Sequence, residues 1–380
     1  MNLPTSSNVS SQWVDPGMET KKALLRNSGK GGRADLDLPL KLQTAAALAA
    51  NGYFCRINVN LSATNDKGLS DVTDVDVLGV RYDVAFNPTS MAVSAKSGEA
   101  RSLSPAREIF YLRGVLEYLE ATSGVLLLSR RTVAGHLKDL GRQLRILVLS
   151  EQEVDEWASG LTKGIDAPGY FDQQLYSKYV DAISQESAES LGRYLQTEYW
   201  FFRDFRNLQN ALAHYKKIAP SITGQKPWHA TLSLNTAAHL CLTVFDLCRT
   251  LRFLGLNAVE EKTATYLFGG VTSFKARRDL YTKVEQLLSS TGTLVPGGPG
   301  LPPLEPAYTA ALAELAVRFV QRPSSAIRIP VVLQDALWRS LGAKGATVDE
   351  STTHLAAEKL AQDLLDFIKA ASGAPWTPKI

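Results

Sequence analysis

The run Asp71-Val72-Thr73-Asp74-Val75-Asp76-Val77-Leu78-Gly79-Val80, followed by Met91-Ala92-Val93-Ser94-Ala95-Lys96, decides how the chain is read. Val75–Val84 and Met91–Lys96 are rich in Val and alternate in polarity, so both read as strands. Asn87-Pro88-Thr89-Ser90 supplies turn residues between them. The first strand carries acids at its start and the second a lysine at its end.

Upstream, Tyr53–Leu61 alternates like a half-buried strand. Leu38–Ala50 before it is rich in Ala and Leu, and Asn51-Gly52 closes it as a helix end. Downstream, Ser104-Pro105 opens a helix with Ile109, Leu112, Leu116 and Leu119 on one face. Val125–Leu128 and Ile146–Leu149 are short apolar runs, as parallel strands buried on both faces are. Val133, Leu137, Leu140 and Leu144 form a helical stripe between them, predicting a right-handed parallel crossover. Residues 38–154 therefore read αβββαβαβ, an α/β fold on a mixed sheet.

Beyond Glu151 the strand signals fade. Tyr170–Ile183 and Glu186–Lys217 are predicted helices, and Leu240, Val244, Leu247 and Leu251 mark another. Leu312/Leu315/Phe319 and Leu360/Leu364/Phe367 mark two more. The expected organisation is a flexible lead-in over 1–36, an α/β domain over 37–155 and an α-helical domain over 156–380. A Gly/Pro-rich loop at 292–306 interrupts the last.

The 380 residues exceed what one core of roughly 250–300 residues serves. With 45% hydrophobic and 21% charged residues, the composition excludes general disorder and collagen-like chains. No apolar run approaches the ~18 residues of a membrane helix, and the start lacks a signal-peptide pattern. Cys55, Cys241 and Cys248 make neither a disulfide framework nor a zinc pair. A soluble, cytoplasmic protein without membrane contact is expected. Cys241 and Cys248, seven apart on one helix, read as core residues. His136, His214, His229, His239 and His354 show no metal spacing and read as surface or capped histidines. Tyr199, Trp200, Phe201, Phe202 and Phe205 read as core or interface packing, with base stacking as the alternative.

The net charge of +3 hides a patch. Between Arg101 and Ser150 stand eight Arg/Lys against four Asp/Glu. The alternatives are a solvated face and a phosphate-binding surface.

The ordered set, an acid early in the second strand, Val93-Ser94-Ala95-Lys96-Ser97-Gly98 in the third and Ser104-Pro105-Ala106-Arg107-Glu108 opening the next helix, resembles the PD-(D/E)XK nuclease superfamily. The resemblance covers about a third of the chain. It implies a restriction-endonuclease-like fold and a metal-dependent endonuclease that cleaves DNA, in a bacterial defence or restriction setting. It further implies Mg2+ (or Mn2+), because hydrolysing a phosphodiester uses a hard cation held by carboxylates to activate water. Asp76 would be the metal-binding acid and Lys96 the family lysine. Asp74 would assist if its strand extends toward its N-terminus.

The sequence departs from the pattern at Ser94, where the family carries Glu or Asp. Glu108 is the expected relocated acid, as a catalytic and metal-binding group, and Glu99 a weaker substitute. Many members carry a glutamate on the first helix, where this chain has Lys41 and Gln43. Arg101, Arg107, Arg130 and Arg131 would contact the DNA backbone. Three readings stay open: an active nuclease, a catalytically degenerate subunit used for DNA binding or assembly, and an unrelated α/β domain. The helical domain is expected to hold a protein partner or to self-associate.

Overall fold

The computed structural model describes residues 37–65, 68–96, 104–128, 132–162, 171–200, 204–291, 301–343 and 352–380. The expected lead-in over 1–36 lies outside them, as does most of the Gly/Pro-rich loop. The first part runs α1 (Leu38–Ala50), β1 (Phe54–Asn65), β2 (Gly68–Tyr82), β3 (Pro88–Lys96), α2 (Pro105–Tyr118), β4 (Ser123–Leu128), α3 (Gly135–Gln143) and β5 (Ile146–Ser150). This is the expected order αβββαβαβ.

The five strands form one mixed sheet in sequence order. β1, β2 and β3 are antiparallel neighbours, while β3, β4 and β5 run parallel through the α2 and α3 crossovers. α1 covers one face, where Leu42 and Leu48 meet Ile57, Val77, Val93, Val125 and Leu127. Its end is set by Gly52 at φ 78°, which suits a residue without Cβ. α1 crosses β2 so closely that a Cβ on Gly79 would stand 3.2 Å from Leu48 Cδ1. α2 covers the opposite face through Ile109, Leu112 and Leu116 against Leu78, Val80, Ala92 and Leu126. From Gly124 to Leu128, β4 is buried throughout, as a strand between two layers must be.

Two boundaries differ from expectation. The turn before β3 lies at Asp83–Asn87, with Pro88 already in the strand. Asp83 Oδ1 accepts from the Ala85 and Asn87 amides, an Asx turn that outcompetes the Asn-Pro signal. The border expected between residues 155 and 156 falls inside α4 (Glu151–Thr162), and residues 37–380 pack as one unit.

The remaining helices are α5 (Gln173–Ile183), α6 (Glu189–Gln196), α7 (Phe205–Ile218), α8 (Pro227–Leu254), α9 (Val259–Leu267), α10 (Val271–Ser290), α11 (Thr309–Gln321), α12 (Pro323–Ala326), α13 (Ile329–Ser340) and α14 (Thr352–Ser372). The helix expected over 186–217 is broken into α6 and α7. Asp204 caps α7 by accepting from the Arg206 amide, which starts a new helix there. α8 is buried nearly all round, polar residues such as Asn235 and His239 included, and forms the axis of the helical part. Cys241 and Cys248 are buried in it, as expected.

This helical core also takes in Phe54 of β1 and Phe86 of the Asp83–Asn87 turn. β1 is a sheet edge, and helical-part amides satisfy part of its backbone. Gln334 Oε1 accepts from the Cys55 amide at 2.8 Å, and Gln196 Nε2 donates to the Ile57 carbonyl at 2.9 Å. The side chains stand in for a further strand and close the edge. No helix among the described residues is long and apolar enough to cross a membrane.

Candidate functional site

Asp76 sits where β2 leaves β3. The paired register ends at Val77↔Val93, and the Ala95 amide donates instead to Asp76 Oδ2 at 2.7 Å. Oδ1 faces the Lys41 ammonium of α1 at 2.9 Å, with the two side chains only 9% and 6% exposed. Lys41 Nζ also donates to Asn58 Oδ1 at 2.9 Å.

Asn58 has φ 55°, a left-handed conformation that Asn tolerates better than most residues. The chain turns over there: Ile57 packs into the α1-side core and Val59 into the α2-side core. Their partners on β2, Val77 and Val75, divide the same way. Asp76 therefore occupies the point at which the β1–β2 ribbon changes faces. From the helical part, Tyr176 Oη accepts from Asn58 Nδ2 at 3.2 Å, and Gln196 Nε2 donates to the Asn58 carbonyl.

β2 reaches back to Gly68, so Asp74 lies on the same strand as Asp76, but exposed. Ser94 is buried on β3, and Lys96 is half-buried at its last residue. Glu108 is half-buried in the first turn of α2, and Arg107 beside it is exposed. Tyr111 is pushed above the usual tyrosine range by burial first, then by the charges of Asp74, Glu108 and Asp76. The Tyr111 hydroxyl is hydrogen-bonded to that of Thr73. Arg101, Arg130 and Arg131 lie outside the described residues, as does the Ser97-Gly98 pair.

Much of the basic stretch is neutralised locally. Lys138 pairs with Glu153, Arg142 with Asp139, and both Arg113 and Arg145 with Glu117. Glu153 is held down to about 2 by its Lys138 hydrogen bond first, then by the Ser150 amide and hydroxyl. Arg107 makes none of these pairs among the described residues.

Mg2+ asks for one or two carboxylates in an open oxygen shell. Both Asp76 oxygens are engaged here, one by an ammonium, and position 94 offers only a hydroxyl. No three His, Cys, Asp or Glu side chains among the described residues come together closely enough to hold a metal ion. The donor set at Asp76 does not fit the implied metal.

A second buried cation went unread in the sequence. Arg56, in β1, makes no ion pair among the described residues and leaves Nε without a hydrogen-bond partner. One guanidinium nitrogen donates to Asn235 Oδ1, and the group lies 4.3 Å from the Phe54 ring centre. Burial lowers its pKa. His239 nearby departs from its surface or capped expectation: it is buried in α8, with Nδ1 at 2.8 Å from the Asn235 carbonyl. His229 does sit at a helix start, its Nδ1 accepting from the Gly224 amide. Tyr199 is core, donating to the His239 carbonyl at 2.6 Å, whereas Phe201 and Phe202 lie outside the described residues.

A cavity of about 240 Å3 between the sheet and α8 includes Val80, Tyr82, Phe86, Trp200, Thr243 and Asp246 in its lining. It holds none of the predicted catalytic, metal-binding or backbone-contact residues, and Asp246 is tied to Arg249 and Tyr266. Lys41 could have been suspected from the sequence, since it falls in the apolar stripe of Leu38, Leu42, Ala45 and Leu48. A charge inside such a stripe needs a buried partner. Comparison with family models, curated proteins and solved structures gave no match.

Proposed function

We propose that the α/β part is a restriction-endonuclease-like module that binds the DNA backbone without cutting it. The observation that carries this is the Lys41–Asp76 contact at 2.9 Å: a protein ammonium occupies the oxygen a catalytic metal would need. The element order αβββαβαβ supports the fold assignment, together with an acid placed where β2 and β3 part. Arg107 and the arginines after β3 and β4 cluster in sequence at the carboxyl ends of the parallel strands, where open α/β sheets take their ligands. Their contacts would be to phosphates, giving position rather than sequence readout.

The test is incubation of the full chain with linear and supercoiled DNA in Mg2+ or Mn2+, beside Asp76→Ala and Lys96→Ala. Expected are intact DNA and binding whose log affinity falls linearly with log salt. Arg107→Ala should reduce that slope by about 1. Cleavage by the wild type that both variants lose would overturn the reading. It would favour the second one, a metal-dependent endonuclease using Asp76, Lys96 and Glu108. Asp74 on the same strand as Asp76, with Glu108 in the first turn of α2, speaks for that alternative. The bacterial defence setting is what the family resemblance implies, and a protein partner for the helical part is proposed from that part's size and its aromatic cluster.

A further inference from the structure

We infer that Lys41 is the resident cation of an oxygen pair, Asp76 and Asn58, and that the helical part keeps it there. The inference rests on the non-cutting reading and adds what governs it. Two oxygens converge on the ammonium, Asp76 Oδ1 and Asn58 Oδ1, each at 2.9 Å. One is a carboxylate and one an amide carbonyl, and both are hard donors of the type that also accepts a divalent cation. An amine on a flexible four-carbon stem fills that position in place of a metal.

Nothing in β1 alone fixes Asn58 in this pose. Its left-handed backbone is an uncommon state for a residue other than glycine, and such states persist where surroundings over-determine them. Here the surroundings belong to the helical part. Gln196 at the end of α6 donates to the Ile57 and Asn58 carbonyls, holding the backbone on both sides of the turn-over. Tyr176 of α5 accepts from Asn58 Nδ2, which turns the amide so that Oδ1 faces Lys41. The chain of contacts therefore runs from α5 and α6 through Asn58 to Lys41 and Asp76. A shift of α5 or α6 would release Asn58, weaken the hold on Lys41 and leave Asp76 and Asn58 as an open pair of oxygens. The positioning residues are Asn58, Tyr176 and Gln196; none of them needs to touch DNA.

Two measurements without DNA test this on the full chain. The first is reductive methylation of lysines, followed residue by residue by mass spectrometry. Lys41 should be protected in the wild type and become at least about tenfold more reactive in the Tyr176→Phe/Gln196→Ala double variant, with Lys216 and Lys369 unchanged. Equal protection of Lys41 in both proteins overturns the control by the helical part. The second is Mn2+ binding, read from loss of the free-ion electron paramagnetic resonance signal. At about 1 mM Mn2+, a weak-site concentration, the wild type should bind none at this position. Lys41→Met should gain one ion, and the gain should disappear in Lys41→Met/Asp76→Asn. Absence of a gain in a folded Lys41→Met overturns the idea that Lys41 stands in for a metal. Should Lys41→Met fail to fold, the Tyr176→Phe/Gln196→Ala variant carries the same Mn2+ measurement, with the same outcomes. DNA cleavage by the wild type would defeat the non-cutting reading while leaving both of these results readable.

Discussion

Lys41 and Arg56 are both buried cations beside β1, yet the chain treats them in opposite ways. Lys41 has a carboxylate at 2.9 Å and an amide oxygen beside it. Arg56 has amide and carbonyl oxygens and aromatic faces, with no carboxylate among the described residues. Guanidinium is delocalised and weakly hydrated, so π faces and one amide go some way toward replacing water. An ammonium is a compact, strongly hydrated charge and needs an anion. The difference separates roles: Lys41 belongs to a charge pair that a competing cation can exchange, whereas Arg56 bonds Asn235 of α8 and fastens β1 to the helical part.

The contrast breaks first where a charge is left alone. Asp76→Ala strands the Lys41 ammonium, and Lys41→Ala strands the carboxylate; each should cost about 3–5 kcal/mol in urea unfolding. A loss below about 1 kcal/mol in either would mean the pair is solvated. Arg56→Met should behave differently, because it removes an uncompensated buried charge and keeps most of the volume. A net change within about 1.5 kcal/mol of zero is expected, of either sign. A loss as large as that at Lys41 would show that Arg56 has an anionic partner after all.

Acid sharpens the same comparison. Burial first and the Arg56 charge second hold His239 well below the usual imidazole range. The folded chain therefore keeps His239 neutral, while the unfolded chain takes up a proton below about pH 6.5. That contribution is complete above pH 6.5 and declines as pH falls. His214 and His229 are lowered too, again mainly by burial, and add to the same slope. Urea midpoints should fall between about pH 6.5 and 5, and His239→Met should flatten the fall. An unchanged slope in that variant would place the titration elsewhere. Glu153 should give the smallest effect, since its carboxylate is about one-third exposed. Its stabilising contribution is present above the usual glutamate range and lost as pH falls toward about 2. Glu153→Gln should soften acid unfolding only below about pH 4.

The sheet was legible because its strands differ in kind. Val125–Leu128 and Ile146–Leu149 are continuous apolar runs, and only strands covered on both faces take that form. The helix start at Ser104-Pro105 and the stop at Asn51-Gly52 were local signals, and local signals survive folding. The break between α6 and α7 was not legible, because helical periodicity continues across Asp204 and one capping side chain decides the outcome. Asp76 and Ser94 could be read as a departure from a metal-site pattern. Lys41 was legible as a buried charge in need of a partner, but its place at Asp76 was not, since Lys41, Asn58, Tyr176 and Gln196 meet only through a left-handed residue in β1 and two helices more than a hundred residues downstream. Arg56 escaped because a single Arg inside an alternating strand looks like its solvent side. The helical part that covers this edge turns that side into core.

A double-mutant cycle on Lys41→Met and Asp76→Leu, read by urea unfolding of the full chain, tests the ion pair most directly. The pair predicts that the double variant loses at least about 2–3 kcal/mol less than the sum of the two single losses. Additive losses, within about 0.5 kcal/mol, would contradict it and return Asp76 to the pool of carboxylates free to take a metal.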